Sequence, residues 1–465
     1  MATTREQAEA YAYANRRMST SLLRGADEAR LDPRRRLNRS LGAGVAVGVL
    51  VMAGFGVAGW LGGGRGPALP TSGAVVVGDS GDSYVIAEGV AHPALNLASA
   101  LLAGGGRPTE VRQATLDEAP RGLPVGIPGA PDALPEADDL LDGDWTLCAT
   151  PAETGGDPVQ TALYVSVPGV PTGNAASGGT TLLVEAEDGG LWLLTQGRRH
   201  AVEPAIRDLL GLLRQPVRLP AEMIVTVPEG PAITIPDPGP GAGDEPEVEL
   251  PFDAAVGDIA HTDEDGATRQ HYLVRPEGLV PISGLVHTLL SGGAGSDHRI
   301  SASDAAHAPR TGGDPGDPAW PEEVPEAEAL ERNEPVCVST PPGSQPGDAP
   351  WRATVHLPGT MPAPEDTVPV EADDGGRLGL LDRIYLPAGS GTLVRAATSA
   401  GTGGTYTLVT DGGTAYPLAS PDAAERLGYD PALARSMPTA YVDLLPAGPV
   451  LAPEAAAREH EGGSA

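Results

Sequence analysis

The chain has 465 residues, of which 40% are hydrophobic and 20% charged, so it can bury a large core and hold several domains. Only 4% of the residues are aromatic, whereas 63 are glycine and 48 proline, which is typical of many short strands and extended connections. The net charge of −32 disfavours nucleic acid as a partner, and the absence of lysine excludes the Walker A loop and SxxK acyl-enzymes.

The N-terminal segment, residues 1–40, is a basic leader with nine arginines against five acidic residues, a net charge of +4. The stretch TTREQAEAYAYANRRMSTSLLRG begins with possible threonine caps, is rich in good helix formers and ends at Gly25. This pattern predicts a short helix of roughly 20 residues. The helix is either an interaction element or a simple basic anchor.

The next segment, Leu41 to Gly64, contains no charged residue. As a helix at about 1.5 Å per residue it would span roughly 36 Å, enough for the ~30 Å hydrocarbon layer, so it predicts one transmembrane helix. The alternatives are a cleaved signal peptide and a buried core helix. Arginines directly before the span predict a single-pass protein of the cell membrane with a cytoplasmic N-terminus and residues 65–465 outside. Gly44 and Gly48 form a small-xxx-small pattern that would let another helix approach closely.

Four segments of the outer region share one plan. Each has an apolar strand, a polar turn, a second strand with an aromatic residue, a glycine, and a proline before a stretch that closes on leucine. The aromatic residues are Tyr84, Trp192, Tyr272 and Tyr406. Each segment predicts a hairpin followed by a helix. The prolines near which these helices are expected to start are Pro93, Pro204, Pro281 and Pro417.

The first of these segments contains GDSG at residues 78–81, the setting of the nucleophilic serine in chymotrypsin-like proteases. At the same place the other segments have EAEDGG, TDEDGATRQ and TSAGTGG, which share only turn-forming residues. A chymotrypsin-like enzyme also needs histidine and aspartate before the serine, and here that part of the chain is the predicted membrane anchor. We therefore interpret Ser80 as part of a hairpin turn.

A second level of repetition divides the outer region into two halves. WTLCATP at 145–151 and EPVCVSTP at 334–341 each lead to a strand that ends in Pro-Gly, and their cysteines are 189 residues apart. Other equivalent positions are 188 and 190 residues apart, and an insertion of about 25 residues is expected around 371–391 of the second half. The predicted fold is a mixed, β-rich α+β fold. It has a single N-terminal transmembrane helix and a pseudo-two-fold ectodomain with a central β domain and four small hairpin-helix repeats.

The predicted boundaries follow this plan. The membrane part comprises the cytoplasmic leader (1–40), the transmembrane helix (41–64) and a linker (65–73). The four repeats are expected at 74–125, 180–235, 251–311 and 388–451. The two halves of the central domain are expected at 126–179 and 312–387, with a second linker at 236–250 and a tail at 452–465.

The only two cysteines, Cys148 and Cys337, occupy equivalent positions of the two halves. Residues related by a pseudo-two-fold axis can meet if they lie close to it, and the predicted outside location is oxidising. We therefore predict a disulfide between them. The alternative is two buried free thiols, because cysteine also packs well as a small hydrophobic residue.

The remaining candidate chemistry is sparse. The nine histidines form no HExxH or other close pair in sequence, which favours surface or packing roles. Acidic stretches at 263–266 and 136–139 could hold calcium but complete no EF-hand loop. Glycine-rich stretches at 62–67, 291–298 and 400–406 lack the basic residue of a phosphate cradle. We expect no catalytic, cofactor or metal site.

Several long stretches resemble the EccB family, the membrane component of ESX, or type VII, secretion systems of actinobacteria. They include HPALNLASALL, RGLPVGIPGAPDALP, the WTLC segment, IYLPAGSGTLVRA, DGGTAYPLASPDAAERLGY and LLPAGPVL. The resemblance runs from the arginine-rich leader almost to the C-terminus. It implies an ectodomain with a central domain flanked by four repeats, which agrees with the units described above.

The resemblance also implies a place in an inner-membrane secretion complex with EccC, a motor ATPase, and with EccD, EccE and the mycosin protease. We expect a non-enzymatic structural subunit, embedded in the lipid bilayer and forming homo-oligomers within that complex. ATPase activity has been proposed for the family, so a nucleotide hydrolase is an alternative. A membrane-anchored extracellular hydrolase of the cell wall is another, and it would need a cleft with convergent carboxylates or an activated nucleophile.

Overall fold

The structure is a computed structural model that separates into two compact units, Met1–Ala68 and Leu69–Ala465. It describes residues 4–24, 33–62, 69–77, 80–151, 160–170, 179–262, 269–293, 295–331, 333–343, 351–364, 367, 369–371, 381–398 and 403–460. The first unit contains two helices, α1 (Thr4–Arg24) and α2 (Pro33–Gly62). The helix predicted in the leader is therefore present as α1.

The predicted transmembrane segment, 41–64, lies mostly on α2. Its backbone beyond residue 62, and its side chains from residue 56 onward, are outside the described residues. Among the residues that are described, no helix has the length and apolarity needed to cross a membrane.

The second unit begins with a small sheet and continues with two strands of a larger one. The first small sheet contains β1 (Gly73–Val77), β2 (Ser83–Ala87) and β3 (Val90–Pro93), followed by α3 (Leu97–Gly104), β4 (Thr109–Val111) and α4 (Gln113–Leu116). A 3₁₀ helix at Ala137–Asp139 precedes the first two strands of the larger sheet, β5 (Trp145–Thr150) and β6 (Gln160–Val165).

Two further small sheets follow in the chain. The second contains β7 (Leu182–Glu185), β8 (Leu191–Thr195) and β9 (Arg198–Ala201), followed by α5 (Pro204–Leu209), β10 (Val217–Arg218) and α6 (Ala221–Thr226). The third contains β11 (Ile259–Thr262), β12 (His271–Arg275) and β13 (Gly278–Ile282), followed by α7 (Gly284–Ser291), β14 (Asp297–Ile300) and α8 (Ala302–His307).

The chain then returns to the central sheet before it forms the last small one. The central strands are β15 (Val336–Thr340), β16 (Thr354–His356), β17 (Val370–Glu371) and β18 (Arg383–Tyr385). The fourth small sheet contains β19 (Gly391–Ala397), β20 (Thr405–Thr410), β21 (Ala415–Pro417) and β22 (Arg435–Pro438). Its helices are α9 (Pro421–Arg426), a 3₁₀ turn at Pro431–Leu433, α10 (Thr439–Val442) and α11 (Pro453–Ala456).

All four small sheets have the same topology in the described residues. The first three strands form an antiparallel meander, and the fourth returns parallel to the first, giving the spatial order third, second, first, fourth. The helix after the third strand makes this return possible, because parallel neighbours need a crossover connection. A further segment then bridges the third strand in parallel, as in Ala91 with Arg121 and Arg199 with Glu229.

The predicted hairpin is present in each unit as its first two strands, but the helix does not follow it directly, because a third strand comes before the helix. Only Pro204 occupies the start of its helix, at the first or second helical position. The three other prolines, Pro93, Pro281 and Pro417, lie on third strands. The helices after them begin where a side chain accepts a backbone N–H, and these capping residues are Asn96, Ser283 and Ser420.

Ser80 lies between β1 and β2, where Val76 and Ser83 are paired across the two strands. Its hydroxyl donates to the Asp82 carboxylate at 2.8 Å, and the following residue, Gly81, has a φ of 77°. Positive φ in a short polar connection is what a hairpin turn requires. Residues 78 and 79 of the GDSG stretch lie outside the described part of the chain.

Candidate assembly core around the disulfide

The central sheet has six strands in the order β16, β15, β5, β6, β18, β17. Two adjacent inner strands, β5 and β15, come from segments almost two hundred residues apart and pair antiparallel. Every residue of both strands is buried, because other elements cover the two faces of the sheet. Side chains alternate between the faces, so each strand contributes to two separate cores.

Cys148 and Cys337 stand directly opposite each other on these two adjacent strands and form a disulfide. Both cysteines are fully buried. They lie in a small apolar cluster on one face of the sheet, with Ala162, Tyr164 and Tyr385 among its members. The bond therefore joins the first half of the outer region to the second half at the centre of the sheet.

Two tyrosines complete this face. The rings of Tyr164 on β6 and Tyr385 on β18 stack with centroids 4.7 Å apart, and the Tyr164 hydroxyl donates to the Pro362 carbonyl at 2.6 Å. Burial raises the pKa of Tyr164, so its hydroxyl stays protonated at physiological pH. The stacked pair attaches β18, which is next to the edge strand β17, to the rest of the sheet.

The aspartate directly before β18 also holds this strand in place. The Asp382 carboxylate accepts hydrogen bonds from the backbone N–H and the hydroxyl of Thr161, at 2.7 and 2.9 Å. The Asp382 N–H in turn donates to the Thr161 hydroxyl at 3.0 Å. These contacts fasten β18, which lies within the region where an insertion was predicted, to a strand of the first half.

The opposite face of the sheet packs against the end of the fourth small unit. The ring of Tyr441 on α10 meets the ring of Trp145 edge to face, with centroids 6.2 Å apart. The Tyr441 hydroxyl lies 3.1 Å from both the Val338 carbonyl and the Thr340 hydroxyl on β15. Because Tyr441 is fully buried, these bonds satisfy a group that would otherwise be costly to bury.

The small units also contact one another in pairs. One apolar cluster contains residues of the first and fourth units, and there Arg426 donates to the Leu102 carbonyl at 3.1 Å. Another cluster contains residues of the second and third units, where Leu285 and Leu289 of α7 pack with Leu193 of β8. The outer region thus forms one connected framework around the central sheet.

The other predicted site residues make no comparable constellation. Gly44 and Gly48 lie on α2, and within the described residues no atom beyond the helix's own backbone comes within 4 Å of where their Cβ atoms would stand. The acidic stretch 263–266 lies wholly outside the described residues, and the 136–139 stretch is an exposed turn ending in a 3₁₀ helix.

Three polar residues of the third unit come together although the sequence does not suggest it. Ligand atoms of His261, His287 and Asp297 lie within 4.8 Å of one another. They belong to β11, α7 and β14, so their separation in sequence hides their proximity. The signal that could have found them is the strand pairing that sets His261 opposite His271, next to the helix that carries His287.

The chain matches known proteins along its whole length. A family model described as type VII secretion system ESX-1, transport TM domain B, matches residues 1–464. The ESX-1 secretion system ATPase EccB1 of Mycolicibacterium smegmatis is 26% identical over 99% of this chain and 95% of that protein. The ESX-3 secretion system ATPase EccB3 of Mycobacterium tuberculosis is 28% identical over 98% of this chain and 90% of that protein.

Solved structures agree with this match. A chain of the intact ESX-5 inner membrane complex superposes with a TM-score of 0.64 at 25% identity, covering 100% of this chain and 97% of that chain. The EccB3 dimer from the ESX-3 core complex has a TM-score of 0.64 at 26% identity, covering 83% of this chain and 100% of that chain. The match in sequence and the match in fold therefore agree, and this chain belongs to the EccB family of type VII secretion systems.

Proposed function

We propose that this chain is a structural subunit of an ESX inner membrane complex, in which its outer region supports assembly of the secretion channel. The observation that carries the proposal is the similarity in fold, over the full chain, to a chain of the intact ESX-5 inner membrane complex. The buried, cross-linked central sheet supports it further, because a rigid framework suits a part that holds other subunits in place.

The proposed anchor is the uncharged segment 41–64, which crosses the membrane once, with the leader in the cytoplasm and the outer region beyond the membrane. Four arginines directly before the segment support this orientation. Gly44 and Gly48 provide a surface where a neighbouring membrane helix packs closely. In this arrangement the partners are EccC, EccD, EccE and the mycosin protease, as the family resemblance implies.

The outer region has the proposed pseudo-two-fold organisation. Equivalent cysteines face each other across the adjacent strands β5 and β15, which supports an axis between these two strands that relates the halves. The segments that precede the second and fourth units support the same axis, because each of them pairs with a strand of the other half. Gly179 of the first half bridges Val355 of the second half, and β18 of the second half pairs with β6 of the first.

We also infer that copies of this chain associate with each other, in line with the dimer in which its relative EccB3 was solved. The exposed surface of the outer region carries most of the negative charge, since a leader of +4 in a chain of −32 leaves −36 for residues 41–465. Association of copies therefore requires apolar or hydrogen-bonded contacts that outweigh the repulsion between like charges.

Co-purification tests the proposal. The tagged full-length chain, solubilised from its host's membranes in mild detergent, is expected to bring down the other membrane subunits. Val49→Arg combined with Val51→Arg places two charges in the span and should abolish recovery, whereas Val49→Leu should not. Recovery of the tagged wild-type chain alone would contradict the structural role.

A second candidate function is nucleotide hydrolysis, because the EccB1 and EccB3 relatives are named as ATPases. The lack of lysine excludes a Walker A site, so such an activity would need another way of holding phosphates. Phosphate release from ATP by the purified full-length chain, compared with a preparation heated to unfold it, decides between the two. Continued ATP hydrolysis by an activity that stays with the chain through purification would establish that the protein is an enzyme.

A further inference from the structure

We propose that the third small unit contains a binding site for a divalent transition-metal ion, with His261, His287 and Asp297 as its ligands and zinc as the ion that fits them. The inference does not depend on the proposed secretion role. It rests on the way three ligand atoms from three different elements converge on one point.

The geometry is set by one carboxylate oxygen. Oδ1 of Asp297 lies 2.9 Å from Nδ1 of His261 and 3.3 Å from Nε2 of His287. Ligand atoms around a tetrahedral zinc, each about 2.0–2.1 Å from the metal, stand roughly 3.3 Å apart. An ion can therefore be held between the three atoms if the side chains rotate to bring the two imidazole nitrogens, now within 4.8 Å of each other, to that spacing.

The ligand types select the kind of ion. Two imidazole nitrogens and one carboxylate oxygen suit zinc and similar first-row metals, whereas calcium and magnesium prefer oxygen ligands alone. The three side chains have relative exposures of 19%, 13% and 37%, so the site is partly covered and still reachable from solvent. Water can supply the remaining ligand at the open fourth position.

A fourth polar residue adjoins the ligands. The ring of His271 lies against that of His287 with centroids 4.2 Å apart, and within the described residues its buried Nδ1 has no hydrogen-bond partner. His271 thus adds a further imidazole nitrogen beside the three proposed ligands.

The cluster is an addition to the shared plan of the small units. In each unit, one residue of the first strand pairs with the aromatic residue of the second strand. The residue that follows it on the first strand therefore occupies an equivalent position in all four units. That next residue is His261 in the third unit and Val76, Glu185 and Ala396 in the others. The topology forms without histidine at this position, so folding alone does not explain the cluster.

A bound ion would tie the helix of the unit to its sheet. His287 lies on α7, whereas the two other ligands lie on neighbouring strands, β11 and β14. The same helix directs Leu285 and Leu289 into the apolar cluster shared with the second unit. We therefore expect the metal to stabilise both the third unit and its contact with the second.

Zinc binding by the purified full-length chain in detergent tests the site. After removal of metal with a chelator, zinc is titrated against a chromophoric competitor with millimolar magnesium present, which occupies weak acidic surface sites. One equivalent is expected, with affinity at least tenfold lower in His261→Gln, His287→Gln and Asp297→Asn. His307→Gln, in the same unit but with its ring bonded to Ser303, should bind as the wild type does. Equal binding by all variants, or no saturable binding, would overturn the proposal.

A second measurement uses only the wild-type chain, so it tests the site even if the substituted chains fail to fold. The wild-type chain is treated with diethyl pyrocarbonate with and without zinc, and modified histidines are located by peptide mass spectrometry. Zinc should slow modification of His261 and His287 at least fivefold and leave His307 unchanged. Equal rates with and without zinc would refute the site.

Discussion

Among the described histidines, His200 is fully buried, and its ring makes one hydrogen bond to a backbone carbonyl. Its side chain on β9 has no exposed surface, and Nδ1 donates to the Pro231 carbonyl at 2.8 Å. Within the described residues the buried Nε2 has no partner. Protonation would place a charged N–H there without an acceptor, so burial lowers the pKa of His200, an effect that Arg198 reinforces and Asp317 opposes.

This environment predicts a pH dependence of stability. The folded chain keeps His200 neutral, whereas the unfolded chain takes up a proton near pH 6.5, so the free energy of unfolding should fall as pH drops below about 6.5. One proton contributes at most about 1.4 kcal/mol per pH unit. Asparagine can keep the bond to Pro231 without titrating, so His200→Asn should weaken the dependence between pH 7.5 and 5. Urea unfolding at several pH values measures it, and identical slopes for the two proteins would contradict the argument.

The buried ring of His200 also explains why residue 230 is a glycine. A Cβ added at Gly230 would lie 2.5 Å from Cε1 of His200, and Gly122 and Gly448 face His92 and Tyr416 in the same way in two other units. The ring of His200 cannot withdraw, because it is buried and bonded to the neighbouring residue. Glycine at these positions therefore allows the last segment of a unit to lie against its third strand.

Gly230→Ala should destabilise the outer region by about 1–3 kcal/mol through overpacking. Gly312→Ala is a matched control, since nothing lies within 4 Å of the added methyl group and its φ is not positive. It should change stability by less than about 0.5 kcal/mol. Unfolding midpoints in urea compare the two, and equal effects would show that the contact with His200 is not the cause.

At the scale of elements, the strand plan of the small units was partly predictable. The alternation of apolar residues and the polar turns located the first two strands of each unit, and Pro204 marked the start of its helix correctly. The third strands were missed because proline was taken as a helix signal, whereas it is also tolerated in strands that border an irregular segment. The better signal was the capping residue two or three positions later, as at Ser283 and Asn96.

The central sheet could not be predicted in full, because its strands find partners far away in sequence. Pairing of β5 with β15 was accessible through the equivalence of the two cysteines. Parallel pairing of β18 with β6 depends on Asp382 meeting Thr161, and no local pattern identifies that contact. The histidine cluster was missed for the same reason, since His261 and Asp297 meet only when β11 and β14 pair.

The disulfide is an element-scale prediction, because it joins two strands. It closes a loop across a separation of 189 residues, for which chain entropy gives an upper estimate of about 5 kcal/mol. The Cys148→Ala and Cys337→Ala double variant should therefore unfold at distinctly lower urea concentration. Intact mass after alkylation under denaturing conditions without reductant checks the bond itself. No alkyl group should be added to the wild-type chain, and two per chain would rule the disulfide out.

For the whole molecule, the most informative property is the uneven distribution of charge. Residues 1–40 carry a net +4 and the remainder −36, with an uncharged stretch between them. Arginine before a membrane segment favours the cytoplasmic side, whereas acidic residues have little influence on orientation. The sequence thus has a basic leader, an apolar segment and an acidic region in that order. This order predicts that the leader faces the cytoplasm and the acidic region lies outside.

Reporter fusions measure this orientation. A reporter that is active only outside the cytoplasm should be active when fused after Gly64 and inactive when fused after Arg24, because the uncharged segment lies between the two positions. Replacing Arg34, Arg35, Arg36 and Arg39 by glutamine removes the charges nearest the segment. This variant should give a mixture of orientations, since the remaining arginines lie farther away. Activity after Arg24 but not after Gly64 in the unmodified chain would reverse the predicted topology and place the acidic region in the cytoplasm.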